Sequence, residues 1–390
     1  MGNLGSKRRL VDWARERILV IGGSGFLGAN IVHDLVARAG ALPGNIRTFS
    51  NRITQALDDL PDVYQLKGDI LDASCVAAAC LDRTLVFHAA GSATFDPRLK
   101  RLQWLVNVEG TRNVLEAVRF SCTIRRLCYT STVNVLGCPR PDGALGTEES
   151  CNPYLTCPRL HSFECAGDAL ALADEVHTGR ARGGWWKRLG IGYFDSKLAA
   201  QELVNRAART DGLDAVSVLP GTAFGCYGEL GDAAELVRGV IRNSLPVAPR
   251  GGLPLVHASD VARGHVLAME RGRSGGVYII SGRLEDNLRH AELMRTIAEV
   301  VREEQPGARI RDRFLTAPAW LVWMSALTAE AWSRLRGQPI ALSRQVARVS
   351  RYALFYSYGL AEKELEYRPE RTFREAVRLM CHSLRSEGTS

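Results

Sequence analysis

The apolar positions of the first half of the chain fall into short runs, each followed by a stretch with helical spacing. Residues 18–21 (ILVI) form an uninterrupted apolar run. A glycine-rich turn comes next, and then Ile31, Leu35 and Val36 recur at helical spacing. The alternation continues. IRTFS (46–50) reads as a second strand, VYQLKGD (63–69) leads into a third, and TLVFHAAG (84–91) is a fourth. WLVNVEGTRNVLEAV (104–118) reads as a long helix, RRLCYTST (125–132) as a fifth strand and DAVSVLP (214–220) as a sixth. Strands alternating with helices predict the α/β class, with a parallel sheet wrapped on both faces.

The turn after residue 21 sharpens this. Gly23, Gly25 and Gly28 fit GxGxxG, and Gly22, Gly25 and Gly28 fit GxxGxxG. In either parse, residues without Cβ allow a tight turn and a close backbone approach to a pyrophosphate at a helix N-terminus. The strand before and the helix after give the motif its expected context. At the end of the second strand, enzymes that use NAD place an acid for the adenine ribose. Here the residues are Ser50, Asn51 and Arg52. Arg52 suits a 2′-phosphate, with Ser50 and Asn51 as hydrogen-bonding partners, so NADP is preferred over NAD. The other reading, that Arg52 begins a solvated helix, stays open.

Composition adds limits. A chain of 390 residues with 46% hydrophobic residues builds a large core. The net charge of +8 is spread along the chain, and no basic-aromatic pattern argues for nucleic acid. The ten cysteines include no CxxC pair, and reduced thiols in a cytoplasmic protein are expected. Cys151, Cys157, His161 and Cys165 crowd together, but their spacing fits no familiar zinc pattern, and no metal site is assigned. Gly2 and Ser6 match an N-myristoylation pattern, with Lys7, Arg8 and Arg9 as a second membrane signal. That reading holds only in a eukaryote; the alternative is a flexible leader over residues 1–16. The most apolar stretch, residues 315–332, is interrupted by Pro318 and Glu330. It reads as a core helix or one lying on a membrane surface, giving a peripheral membrane contact.

Tyr193 and Lys197, in YFDSK, stand one helical turn apart. A tyrosine is a reluctant base near neutral pH, and a lysine on the same face favours its phenolate. The spacing alone is common. In order along the chain, however, GGSGFLG (22–28), GDILD (68–72), FHAAG (87–91), NVEGTRNVLEA (107–117), YTSTVNVLG (129–137), YFDSK (193–197), LPGTAFG (219–225), PLVHASDVARGHVLAME (254–270), GVYIISG (276–282) and KELEYRP (363–369) resemble the extended short-chain dehydrogenase/reductases. The resemblance covers roughly residues 17–385. It is nearest the branch holding 3β-hydroxysteroid dehydrogenases and dihydroflavonol reductases. It implies a Rossmann-type domain over residues 17–250 and a smaller, mostly helical, partly interleaved substrate region over 251–390. The implied cofactor contacts are Gly22, Gly25, Phe26, Leu27, Gly28, Ser50, Asn51, Arg52, Asp69, Ile70, Ala89, Ala90, Tyr193, Lys197 and Pro220. The implied catalytic residues are Thr132, Tyr193 and Lys197, with Ser131 as the alternative to Thr132. Asn107 either orders the site or serves structure alone. His88, His257 and His265 are assigned no chemistry.

Two departures matter. Ile21 stands where the family often has Thr. Residues 151–190 form an insertion that includes Trp185 and Trp186, read equally as a lid or as a decorated surface loop. The expected function is hydride transfer between a secondary alcohol and a ketone on a lipophilic molecule such as a steroid, terpenoid or flavonoid. Nucleotide-sugar epimerase or dehydratase chemistry is the second reading, and a non-catalytic NADP sensor or scaffold the third. A homodimer is expected from the resemblance.

Overall fold

The computed structural model describes residues 11–136, 145–149, 192–228, 231–245, 247–336 and 343–387. The acylation signal at Gly2, the Cys151–Cys165 cluster and the 151–190 insertion lie outside the described residues. Seven parallel strands form the main sheet: β1 (Ile18–Ile21), β2 (Ile46–Ser50), β3 (Tyr64–Lys67), β4 (Leu85–His88), β5 (Arg126–Thr130), β6 (Ala215–Pro220) and β10 (Val277–Ile280). Their order is β3-β2-β1-β4-β5-β6-β10. The fold is Rossmann-like. The order reverses between β1 and β4, which opens a crevice at the carboxyl ends of those strands.

Alternation within the strands explains the uninterrupted apolar runs. Ile18, Val20, Ile46 and Phe87 face one core layer, with helix α1 (Phe26–Asp34) and α7 (Ala258–Arg271). Leu19, Ile21, Phe49 and Val86 face the other. That layer holds α2 (Ala73–Cys80), α3 (Lys100–Trp104), α4 (Gly110–Phe120) and α5 (Tyr193–Thr210). A strand covered on both faces has no solvent side to carry polar residues. The long helix expected over 104–118 runs from Lys100 to Phe120, but a π-helical turn spans Leu105–Glu109 between α3 and α4. Such a turn shifts the register by one residue, and Asn107 lies within it, buried.

Three findings differ from expectation. Residues 12–16 belong to the fold and not to a flexible leader: Trp13 is buried, stacks on Phe87 and donates from Nε1 to Glu270 at 2.6 Å. No helix starts at Arg52; the chain stays irregular until a short 3₁₀ turn at Gln55–Leu57. Neither Pro318 nor Glu330 breaks the apolar stretch, because Pro318 precedes helix α9 (Ala319–Arg336) and Glu330 sits on its buried side.

The remainder builds the other half. Strands β7 (Thr222–Phe224), β9 (Gly252–His257) and β11 (Asn287–Arg289) form a small sheet, and β8 (Val247–Ala248) pairs with β12 (Leu315–Thr316). Helices α6 (Gly231–Ile241), α8 (His290–Glu304), α9, α10 (Arg344–Val349), α11 (Gly359–Leu365) and α12 (Phe373–Glu387) make this region mostly helical. The chain crosses back and forth, since α7 and β10 follow residue 250 yet complete the main sheet. Tyr367, from the closing signature, is buried and donates to the Ser281 carbonyl at 2.9 Å, which ties the C-terminal segment to the end of β10. Among the described residues no helix is long and apolar enough to cross a membrane.

Asp34 on α1 is buried, with Arg38 and Arg263 each 3.9 Å away. Burial outweighs both cations and lifts its pKa from 3.8 to about 6. The folded state thus holds this proton more tightly than the unfolded chain. The stabilisation is full below 3.8 and is lost as pH rises through about 6. Asp34→Asn is expected to flatten this decline and to gain about 1–3 kcal/mol over the native chain at neutral pH. Denaturant unfolding followed across that range checks it.

Candidate active site

The crevice begins at the glycine turn. Gly22 has φ +85°, and a Cβ there would lie 2.5 Å from the Ala90 backbone nitrogen. A Cβ on Gly28 would lie 2.0 Å from the Gly22 carbonyl oxygen. These two glycines let β1, the start of α1 and the Ala89–Ala90 segment after β4 approach one another. Gly25 is the N-cap of α1 and offers no side chain to it, and no acid occupies the first turn. The positive end of the helix dipole therefore opens onto the crevice with neither a side-chain cap nor a competing anion. Phe26 and Leu27 are half-buried in that first turn.

Beside the turn, Ser50 Oγ accepts the Ser24 amide at 3.2 Å, while Asn51 and Arg52 are exposed. Asp69 is exposed, and its Oδ1 accepts the Leu71 amide at 2.9 Å. Ile70 is buried, with its carbonyl bonded by Asn113 at 2.9 Å. Pro220 is buried at the end of β6. The expected cofactor residues thus sit at the carboxyl ends of β1, β2, β3, β4 and β6.

Helix α5 brings Tyr193 and Lys197 to the same crevice. Asp195 reaches back to accept the Gly192 amide at 2.9 Å, which sets the first turn. Tyr193 is half-buried, with Phe95 edge-on at 5.5 Å between ring centroids. Lys197 is buried. Its Nζ donates to the Thr130 carbonyl at 2.9 Å and lies 5.2 Å from the centre of the Tyr129 ring. No carboxylate forms an ion pair with it among the described residues. Burial accordingly lowers its pKa from 10.5 to about 8. The ammonium still predominates at neutral pH, held by a carbonyl dipole and an aromatic face. Gly91 leaves the room for it, because a Cβ there would lie 3.1 Å from Nζ.

Asn107 frames the same space. Its Oδ1 accepts the Ser92 amide at 2.7 Å, and its Nδ2 donates to the Ser92 carbonyl at 3.0 Å and to Ser196 Oγ at 2.9 Å. One side chain thereby fixes both the loop after β4 and the first turn of α5. After β5 the two candidate hydroxyls differ. Thr132 Oγ1 accepts from the Asn134 amide at 3.3 Å and from Asn134 Nδ2 at 3.1 Å, so its own O–H remains to donate. Ser131 Oγ is buried without a hydrogen-bond partner among the described residues.

Three observations were not legible beforehand. His88 Nε2 lies 3.0 Å from Thr111 Oγ1, which donates to the Asn107 carbonyl at 2.7 Å. Burial, aided by the charge of Lys197, lowers the His88 pKa to about 3 and keeps the ring neutral. His265 Nε2 meets Thr130 Oγ1 at 2.8 Å, and His257 Nδ1 accepts the Ser259 amide at 3.1 Å to cap α7. Finally, Tyr193 and Phe95 pack against a buried apolar cluster. It includes Leu219, Val349, Leu354 and Tyr356. The alternation of Tyr352, Leu354 and Tyr356 was the available signal for the C-terminal part of that cluster.

Comparison with known proteins agrees with this geometry. Residues 19–156 match the 3-beta hydroxysteroid dehydrogenase/isomerase family, and residues 191–281 match the NAD dependent epimerase/dehydratase family. The chain belongs to the extended short-chain dehydrogenase/reductases. Cinnamoyl-CoA reductase 1 of Oryza sativa subsp. japonica is 26% identical over 308 residues, 76% of this chain and 80% of that protein. The 3 beta-hydroxysteroid dehydrogenase/Delta 5-->4-isomerase of Mycobacterium tuberculosis is 25% identical over 380 residues, 93% of this chain and 88% of that one. The NAD complex of Thermus thermophilus UDP-glucose 4-epimerase is 22% identical, with a TM-score of 0.63 covering 95% and 99% of the two chains, and shares the fold.

The family is NAD(P)-dependent, and this short-chain dehydrogenase/reductase fits such a cofactor. The uncapped helix start, the Cβ-free cradle at Gly22 and Gly28, and the buried cation of Lys197 suit an anionic dinucleotide. Gly28→Ala is expected to weaken NAD(P) binding at least about a hundredfold, since the turn must open to admit the methyl group. Calorimetric titration with NADP and NAD, alongside a melting curve to show that the fold persists, checks this.

Proposed function

We propose that this protein interconverts a secondary alcohol and a ketone on a lipophilic substrate of steroid, terpenoid or flavonoid type. The observation that carries the reading is the placement of Tyr193 and buried Lys197 on one turn of α5, with the Thr132 hydroxyl keeping a proton to donate. The relatedness to a hydroxysteroid dehydrogenase and to a cinnamoyl-CoA reductase supports carbonyl chemistry.

The geometry supports the following roles. The bound dinucleotide supplies or accepts the hydride. Thr132 donates its O–H to the substrate oxygen, using the proton that its two bonds from Asn134 leave available. Tyr193 gives a proton to that oxygen in reduction and removes it in oxidation. Lys197, one turn along α5, stabilises the phenolate with its buried charge. Asn107 positions the helix and the Ser92 loop. We place Arg52 against a 2′-phosphate, which favours NADP. Nucleotide-sugar epimerisation is the second reading, supported by the family match over residues 191–281.

Tyr193→Phe is expected to lower kcat by about 10²–10⁴-fold while leaving cofactor binding within a few fold. A panel of hydroxysteroids, triterpenoids and flavanonols, followed by absorbance of the reduced cofactor, measures it. Absence of turnover across the panel, with tightly retained cofactor and UDP-sugar binding, would select the epimerase instead. In the native enzyme kcat/KM is expected to fall as pH rises past about 8, where Lys197 loses its proton. Arg52→Glu is expected to reverse the preference for NADP, read as the ratio of KM values for the two cofactors.

A further inference from the structure

Helix α9 is turned inside out. Its buried side is small and polar: Ala326 is fully buried, Glu330 is 3% exposed and Ser333 is 4% exposed. Glu330 accepts from the Arg344 amide at 2.8 Å and from Arg344 Nε at 2.9 Å, which anchors this side to α10. The outer side carries the large apolar residues. Trp320 is 68% exposed and Leu335 82%, with Trp323, Leu327 and Trp332 between them. A helix of a water-facing monomer puts its large apolar side chains inward. A contiguous exposed stripe of this kind marks a contact surface.

The neighbouring chain indicates what covers it. Leu315 on β12, just before α9 in the chain, is 73% exposed as well. Just before it, Arg309, Arg311 and Arg313 are exposed. Asn243 bonds the Arg309 carbonyl at 2.6 Å and accepts the Arg311 amide at 2.7 Å, which brings exposed Arg242 to the same cluster. Among the described residues none of these four arginines forms an ion pair. Tryptophans and leucines flanked by arginines suit the boundary between lipid headgroups and acyl chains, where anionic headgroups attract the cations. No described helix is apolar enough to span a bilayer, so the contact lies in its surface.

We propose that α9 and β12 dock this protein on the surface of an anionic phospholipid bilayer, with Trp320, Trp323, Leu327 and Leu335 in the acyl boundary and the Arg242–Arg313 cluster on the headgroups. The proposal stands independently of the redox reading. Flotation of the full chain with vesicles tests it. Binding to phosphatidylcholine–phosphatidylserine vesicles is expected, at least about tenfold tighter than to phosphatidylcholine alone and weakened by salt. Trp320→Glu with Leu327→Glu is expected to abolish flotation at an unchanged melting temperature. Arg309→Glu with Arg311→Glu is expected to remove the preference for the anionic lipid. Brominated lipid is expected to quench the tryptophan emission of the native chain, a readout that requires no variant. Absence of both flotation and quenching overturns the proposal. So does a concentration-dependent dimer, seen by sedimentation, that Leu327→Glu dissociates while vesicles bind nothing; the stripe would then be an interface between two copies.

Discussion

Lys197 carries its ammonium into the protein interior, bonded to the Thr130 carbonyl and set over the Tyr129 ring, with no carboxylate among the described residues to pair with it. Burying such a charge costs several kcal/mol unless dipoles replace the lost water. Much of the site answers that cost. Gly91 clears the space, Asn107 ties the Ser92 loop to Ser196 in the first turn of α5, and Thr130 sits at the end of β5 because the sheet register puts it there. A carboxylate beside Lys197 would have been the cheaper structural solution. Its absence among the described residues leaves the positive charge uncompensated there, as the proposed proton transfer by Tyr193 requires.

The sheet makes these distances reproducible. Each central strand is covered on both faces, so its side chains are fixed alternately in two packed layers, and the loops at the carboxyl ends inherit that rigidity. The glycine turn, the Ala89–Ala90 segment, the end of β5 and the start of α5 meet at the point where strand order reverses. The C-terminal region then returns to complete the site. Tyr367 fastens it to Ser281, while Asn287 exchanges hydrogen bonds with the Tyr356 backbone, in the buried apolar cluster that packs against Tyr193.

The same region has a side that faces away from the chemistry. Helix α9 buries Glu330 and small residues and exposes its tryptophans and leucines, an orientation opposite to the one hydrophobic burial alone would select. The Glu330–Arg344 pair is what makes the inversion tenable, since a carboxylate turned inward needs its hydrogen bonds satisfied. A bilayer surface would return the favourable transfer energy that the exposed face lacks in water.

The strands, the glycine turn and the Tyr193–Lys197 spacing were legible because each is local. Apolar runs, missing Cβ atoms and a four-residue helical offset are properties of neighbouring residues, and they sufficed for the Rossmann-type sheet and its cofactor class. The docking of Trp13, the π-helical turn that buries Asn107 and the partners of His88, His257 and His265 were not legible. The docking of Trp13 and the partners of His88 and His265 depend on residues from distant parts of the chain, whereas His257 is bonded by nearby Ser259. Composition could not say which face of residues 319–336 turns outward, because an apolar stretch with one acid fits either orientation. The position of Arg344 relative to Glu330 contributes to that choice, and it is set by tertiary packing. The sequence by itself determined the sheet and the residue types at its crevice. The three-dimensional structure decided which hydroxyl keeps a free proton, what shields the lysine and which side of the last long helix meets the surroundings, because hydrogen-bond partners and burial come from contacts across the fold.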